Sequence, residues 1–490
     1  MNDRNRSYRD FVKSRCQINP CLAGLADYLG CGLKAASTTV ILDYPRSGQS
    51  VPHFLTAAET DLSKLIDDTS TIYGRVLLVE NIQPHLISLL GEILDVDPIF
   101  FASHVTTDFK DIEKAPAPPS LALFPSQIAE RGYLHLHYQQ VLDLGSADVF
   151  EFSSYSLKTD SNIPRNVRRL PHPSGRQLAL ARACCSVLVK KVNSSWICLV
   201  LVDPPSEMVV ETLGAGGRKS YPSMLLHGGF EGFVQSTSFA SFGSVASNHS
   251  PDKKSILSSL LHCFRNQPPG FTIAEPSILS FGYYPMRIAL AEWMLYTHLM
   301  SRYFKYYEYA LHDIENRLHD SDIIDLQRWR RRSMQSQHKV ILLSEFINYW
   351  LQHEADKQPW NLVLRDIKHV LSQLEHYNRS IEHMLPVATS MVTLLDSRRS
   401  MREAANVSRL TFIALVFVPL SWVASLFSMS DTYSPGQKNF WMYFATALPV
   451  LFLVLLLSAV RWDQVARNLK RVEAVSKWQL GRSKTEATLA

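Results

Sequence analysis

The sequence predicts an α/β domain over residues 36–265, helical arms and a stalk helix over 266–409, and a two-helix transmembrane hairpin over 410–460. Three observations predict this. Short β-branched runs alternate with polar, Pro-rich segments in the first half. From Pro285 onward the apolar residues recur at helical spacing. Two long uncharged runs close the pattern near the C-terminal end. A chain of 490 residues is longer than one core usually fills, so two or three units are expected. With 46% hydrophobic and 19% charged residues it is too apolar to be disordered. The net charge of +5 is too small for a nucleic-acid protein, which concentrates base on one face. Seven cysteines, an odd number in a long chain, exclude a disulfide scaffold and suit a reducing compartment.

Taken in order, residues 1–35 are weakly patterned and read as a loose arm. Met1–Val12 mixes acids and bases with no apolar run behind it, so no targeting address is read there. Thr38–Tyr44 and Tyr73–Glu80 read as strands. Pro84–Asp95 reads as a short helix with proline in its first turn. Pro98–Val105 fits either helix or strand. Leu134–Val141 reads as a strand, and Ser186–Val192 with Ser195–Val202 as a hairpin turning at Asn193-Ser194. Residues 115–126, 159–176 and 204–252 read as polar or Pro-rich loops.

Three long helices follow, over 286–318, 322–353 and 360–401. The last carries Leu364, Ile367, Leu371, Leu374, Asn378, Ile381, Leu385, Ala388, Val392 and Leu395 at heptad-like spacing. Such a seam packs within the chain or between subunits, with Asn378 as a polar register-setter. Pro386 predicts a local kink. No terminator separates Asp396 from Leu410, so the stalk is expected to continue into the first span as one rod.

Leu410–Ser430 and Asn439–Val460 are uncharged over 21 and 22 residues. At a rise of about 1.5 Å per residue each reaches roughly 30 Å, the thickness of the hydrocarbon layer. Core helices rarely run this far without a polar face. The eight residues between them hold Ser434-Pro435-Gly436, a short turn. Arg398, Arg399, Arg402 and Arg409 precede the first span. Seven Lys and Arg follow the second, in a basic tail over 461–490. The positive-inside rule therefore puts both termini in the cytosol, or in an organelle matrix, without naming the membrane.

The first span resembles the leading membrane helix of the CorA-like magnesium and divalent-cation transporters, whose pattern is close to LT-x-I-A-x-x-F-x-P-L-T-x-x-A-G-x-Y-G-M-N. Leu410, Thr411, Ile413, Ala414, Phe417, Pro419, Leu420, Ala424 and Met429 match it without a gap. The order of domain, arms, stalk and hairpin is similar too. VENI at Val79–Ile82 and FFASH at Phe100–His104 are similar to fungal-type members. The resemblance implies a CorA-like fold, a homopentamer in a lipid bilayer, and transport of a divalent cation with Mg2+ first. The family's closing Gly-Met-Asn stands here as Ser428-Met429-Ser430, after Phe427 in place of tyrosine. In the family that asparagine ring holds a hydrated ion through its water shell. A serine hydroxyl also accepts a bond from metal-bound water, from a shorter reach.

A single hairpin encloses no water path, so conduction needs several copies. Ser421, Ser425 and Ser428 lie at i, i+4 and i+7, on one helical face. Val418, Ala414 and Leu410 continue that face inward. The expected pore is hydroxylated at its outer end and greasy at its inner end, with Val418 and Leu410 as dewetting rings. Small serines also let helices approach closely, and this reading stays open beside the pore. Ser428, Met429, Ser430 and Asp431 form the expected selectivity mouth, with Ser430 and Asp431 touching the ion through water. Asp313, Glu315, Asp320, Asp322 and Asp325 put five acids into 13 residues at the tip of the arm, a possible ion-sensing cluster or an ordinary solvated turn. Arg328, Arg330, Arg331 and Arg332 face solvent or pair with that tip.

His135 and His137 share one strand face but no other metal ligand stands near them in sequence. Residues 214–220 lack the glycine before lysine that a phosphate loop needs. No catalytic constellation is present, so no enzyme is expected. No cofactor is expected either, beyond the transported or regulatory cation. Two alternatives stay open: a Zn2+, Ni2+ or Co2+ transporter of the same fold, and a non-conducting, membrane-anchored sensor or interaction protein.

Overall fold

Several strands and helices begin where the sequence places its apolar runs. The computed structural model describes residues 7–32, 35–46, 52–53, 72–106, 116–122, 124–192, 194–213, 217–227, 255–264, 267–273, 275–312, 320–354, 356–429 and 438–459. The chain divides into two units, Met1–Ala388 and Thr389–Ala490. The helical arms thus belong with the α/β domain rather than forming a region of their own.

The first unit holds a mixed sheet. Its strands are β1 (Thr38–Pro45), β2 (Pro52–His53), β3 (Ile72–Glu80), β4 (Tyr133–Ser146), β5 (Ser156–Thr159) and β6 (Asn166–Arg169). They continue with β7 (Arg176–Val192), β8 (Ser195–Val202), β9 (Met208–Thr212), β10 (Arg218–Pro222) and β11 (Met224–Leu225). The order is β10-β9-β5-β6-β7-β8-β3-β1-β2, with β4 on β7 and β11 on β4. Among the described pairs only β3 and β8 run parallel, from Gly74 opposite Trp196 to Glu80 opposite Val202. The β7–β8 hairpin forms as expected, closing at Val192 opposite Ser195.

Alternation explains why these strands read as unbroken apolar runs. Leu77, Val79, Ile197, Leu199 and Leu201 enter one core. Val76, Leu78, Trp196, Cys198, Val200 and Val202 enter the other. A strand covered on both faces carries hydrophobic residues at every position. The first face is covered by α1 (Tyr8–Ile18), α2 (Ala23–Gly30), α3 (Pro84–Ile93) and α4 (Pro98–Val105). Asp97 caps α4 by accepting from the Ile99 N–H at 3.1 Å, with Pro98 in its first turn. That cap and the burial of FFASH settle the ambiguous segment as a helix.

Over residues 7–32, the described part of the segment expected as a loose arm over 1–35, helices α1 and α2 form instead. Tyr8, Val12, Leu22, Leu25, Tyr28 and Leu29 are all buried against the sheet. Tyr8 and Tyr28 donate their hydroxyls to Val96 O and Ile82 O, each at 2.8 Å. These apolar positions are sparse, and only a receiving sheet face makes them a pattern. The expected loops at 159–176 and 204–252 are likewise corrected in part. Strands β5, β6, β9 and β10 are short, so each shows too little alternation to be read alone. A third small core joins them around Phe150, Leu157, Val167, Val209 and Tyr221. The segment expected as a loop over 115–126 is also corrected in part: a one-turn helix forms at Pro119–Ala122, and a short helix, α5 (Pro125–Glu130), begins within it.

Gly74 shows how closely the parallel pair is packed: a β-carbon there would land inside the Trp196 indole. Gly74→Ala is expected to lower stability by about 1–3 kcal/mol through overpacking. Thermal unfolding of the two proteins checks this, and an unchanged midpoint would mean the indole has room to swing aside.

The second face carries α6 (Ile256–Phe264), α7 (Ile278–His312), α8 (Asp320–Leu351) and the first half of α9 (Gln358–Phe427). The seam on α9 is real but rotated from the expected one. Trp360, Val363, Ile367, Val370, Leu374, Ile381, Met384 and Ala388 are buried, while Leu364, Leu371 and Leu385 sit at its margin. The seam therefore packs within the chain as far as Ala388. Asn378 donates to Gln337 Oε1 at 3.0 Å, a polar contact between α9 and α8 that fixes their register. The helix assignment runs on through Pro386 to Phe427.

Candidate functional site

The second unit contains the distal part of α9 and α10 (Trp441–Ala459). By length and composition, α9 is the one described helix able to cross a membrane, and α10 has a shorter apolar stretch over Trp441–Leu456. At about 1.5 Å per residue the 19 residues of α10 rise roughly 28 Å, close to a hydrocarbon layer.

The two helices meet through a narrow face. Val423 and Ala447 are the buried residues of this pair, 3% exposed each. Val416, Pro419, Leu420 and Phe427 are half-buried around Val423, and Tyr443, Val450 and Val454 around Ala447. The Phe427 and Tyr443 rings meet edge to face at 6.0 Å. The spacing on α9 is three or four residues throughout, one side of a helix.

The residues expected to line a pore lie on the other side. At about 100° per residue, Ala414, Ser421 and Ser425 fall roughly opposite Val423. Leu410 and Val418 are 70% and 63% exposed, and Ala414, Ser421, Ser425 and Ser428 are exposed with them. Among the described residues nothing covers that face. Ser421 Oγ donates to the carbonyls of Phe417 at 2.7 Å and Val418 at 3.0 Å. Its hydrogen is used by the helix, which leaves oxygen lone pairs to accept from a water. Met429 is 84% exposed beyond the helix end, while Ser430 and Asp431 lie outside the described residues.

The acidic arm separates into parts. Asp313 and Glu315 lie outside the described residues, and the side chain of Asp320 does too. Asp322 and Asp325 are buried, not displayed at a tip. Asp325 accepts from Arg328 at 2.8 Å. Of the basic run, Arg328 also lies over the Tyr155 ring at 3.9 Å, Arg332 stacks on Trp329, and Arg330 pairs with Glu382 at 3.4 Å. Arg328 thus pairs with an acid of the arm as expected, Arg330 and Arg331 are exposed, and Arg332 packs on Trp329. No group of three His, Cys, Asp or Glu able to hold a metal occurs among the described residues.

Comparison with known proteins bears on the helical half. Residues 295–462 match the family model of the CorA-like Mg2+ transporter protein. The matched stretch contains the second half of α7, all of α8 and α9 with its hydroxyl-bearing face, and α10, and covers less than half of the chain. No curated protein matches the sequence. The chain is similar to the CorA magnesium transporter of Methanocaldococcus jannaschii at 10% identity and a TM-score of 0.34, over 87% of this chain and 98% of that one. It is similar to the full-length CmaX protein at 12% identity and a TM-score of 0.35, over 86% and 95%. The CorA-like match coincides with the segment in which the sequence motif was found. The face that α9 turns to α10 was not legible there, because Val423 is one apolar residue among many.

Proposed function

We propose that several copies of this chain, five by analogy with the CorA-like pattern, surround an axis and conduct a divalent cation, Mg2+ first. The observation that carries this reading is the exposed side of α9, with hydroxyls toward one end and Leu410 and Val418 toward the other, opposite the side used by α10. The family match over 295–462 supports it.

On this reading Ser421, Ser425 and Ser428 accept hydrogen bonds from the water shell of the ion. Magnesium gives up that shell reluctantly, so contact through water suits it. Rings of Val418 and Leu410 interrupt the water column and gate the path by dewetting. Asp431 raises the cation concentration at the mouth and Ser430 contacts the shell there. A potential of 100 mV, negative inside, supplies about 4.6 kcal/mol per dication, so no nucleotide is needed.

The test is ion uptake into proteoliposomes under an imposed potential. Purified oligomers are expected to take up Mg2+ in proportion to the potential. Ser425→Trp is expected to abolish uptake, and Leu448→Trp, on the exposed side of α10, to leave it intact. Uptake of Zn2+, Ni2+ or Co2+ in place of Mg2+ would reassign the ion. No flux of any of the four from folded oligomers would leave a membrane-anchored scaffold. Labelling of cysteines at 421 and 425 by lipid-phase reagents alone would remove that face from the path.

A further inference from the structure

Between Ala388 and the first apolar run, α9 carries the charged residues Asp396, Arg398, Arg399, Arg402, Glu403 and Arg409, all exposed. At about 100° per residue they fall on two sides of the helix. Arg398, Arg402 and Arg409 share one side, within about 40° of one another. Asp396 and Glu403 lie roughly 120–140° round from Arg409. Arg399 stands on the flank of the acids and is held there, its Nε donating to Glu403 Oε1 at 3.1 Å. The side chains of Arg398, Arg402 and Arg409 make no ion pair or hydrogen bond among the described residues. Arg398 and Arg402 stand at i, i+4, a like-charge pair that disfavours the bare helix.

The same count carries this division into the apolar run. Val416, Leu420, Val423 and Phe427 fall within about 40° of Arg409, and theirs is the side that α9 turns to α10. Ala414, Val418, Ser421 and Ser425 fall roughly opposite. The unpaired arginines therefore stand on the α10 side, and both acids on the side of the exposed hydroxyls. Arg409 directly precedes Leu410, where the uncharged run of the first span begins.

Depth selects the partner. At about 1.5 Å per residue, Arg402 lies roughly 10 Å outside Arg409, and Arg398 roughly 16 Å. A headgroup layer is about 5–8 Å deep, and the screening length is about 8 Å at physiological salt. Arg409 is thus at the level of the lipid phosphates, Arg402 just beyond them and within screening range, and Arg398 at its limit. A free anion finds only exposed side chains here. A lipid headgroup is held beside Arg409 by the span itself.

We propose that the Arg398, Arg402 and Arg409 side of α9 binds anionic phospholipid headgroups of the leaflet that the helix enters. The inference rests on α9 being a membrane span, and not on conduction.

The experiment titrates the full-length protein in detergent with phosphatidylglycerol and with phosphatidylcholine, and counts the lipids retained by native mass spectrometry. An alkaline carbonate wash of the expressing membranes tests the span separately. Phosphatidylglycerol is expected to be retained at concentrations at least fivefold lower than phosphatidylcholine. Arg409→Gln is expected to weaken it about fivefold, Arg402→Gln two- to threefold, and Arg398→Gln less than twofold. Arg399→Gln removes the same charge from another side and is expected to change nothing. Circular dichroism is expected to be the same for all four variants. Equal retention of the two lipids by a protein that resists carbonate overturns the proposal. So does an Arg399→Gln loss as large as that of Arg409→Gln, which makes the attraction one of net charge alone. Displacement of the phosphatidylglycerol by millimolar inorganic phosphate makes this a free-anion site and overturns the lipid assignment. Release of the protein by carbonate removes the span itself, and this inference with it.

Discussion

Asp203→Ala is expected to destabilise the first unit by about 3–5 kcal/mol, the usual cost of orphaning one member of a buried ion pair. Arg165 is 1% exposed, with two of its nitrogens on the two Asp203 oxygens at 2.8 and 2.7 Å. Its remaining terminal nitrogen donates to His104 O at 2.8 Å. Asp203 accepts a further bond from the Cys184 N–H at 2.8 Å. Removing the carboxylate strands a guanidinium in the interior and leaves a backbone N–H unpaired. The pair ties β8 to the β5–β6 connection and to α4, so its loss loosens three elements at once. Arg165→Met with Asp203→Leu is expected to recover most of the loss, because neither charge is left alone. Denaturant midpoints of the three proteins decide it. An Asp203→Ala variant as stable as the parent would mean that water reaches the guanidinium.

Stability is also expected to fall steeply in mild acid. Burial depresses His135 from its ordinary 6.5 to about 3, and lowers His104 and His137 well below that ordinary value. Between pH 6.5 and about 3 the unfolded chain therefore binds protons at these positions that the folded chain refuses. Stability present above pH 6.5 is lost as the pH falls, by about 1.4 kcal/mol per pH unit for each histidine. Glu292 opposes this. Its buried carboxyl is raised to about 7, so it contributes stability below its ordinary range that is lost as the pH rises through 7. It offsets part of the histidine effect, as does Glu80, whose carboxyl is also raised by burial, and the three histidines set the sign of the net slope. Urea midpoints at pH 7 and pH 5 measure it. His135→Phe is expected to shallow the slope by about 1.4 kcal/mol per unit. A flat profile from pH 7 to 5 would mean that the rings are solvated.

Strands were legible where they hold an apolar run: β1, β3 and β8, covered on both sides, carry short runs of Val, Ile and Leu, and the apolar parts of β4 and β7 were read as strands too. The strands of the third core were not legible, because four or five residues such as NVRR at β6 show no period. Helices α1 and α2 were missed because their buried residues are mostly single tyrosines and leucines, whose hydroxyl partners Val96 and Ile82 lie far along the chain. The α9 seam was legible as a helical stripe but misplaced by one residue on alternate turns. Ile367, Leu374, Ile381 and Ala388 belong to either choice, and only the packing of α7 and α8 picks Val363 and Val370 over Leu364 and Leu371. At the candidate site, the serine spacing was legible and its exposure was not.

The parallel pairing of β3 with β8 also orders events during synthesis. Residues 72–80 leave the ribosome with one edge bonded to β1, but their other neighbour, 195–202, comes some 120 residues later. At about 5–20 residues per second the nascent chain waits roughly 6 to 24 seconds before the middle of its sheet closes. Throughout that interval the Leu- and Val-rich free edge of β3 stands open, which makes this stretch of translation the natural point for a chaperone to engage.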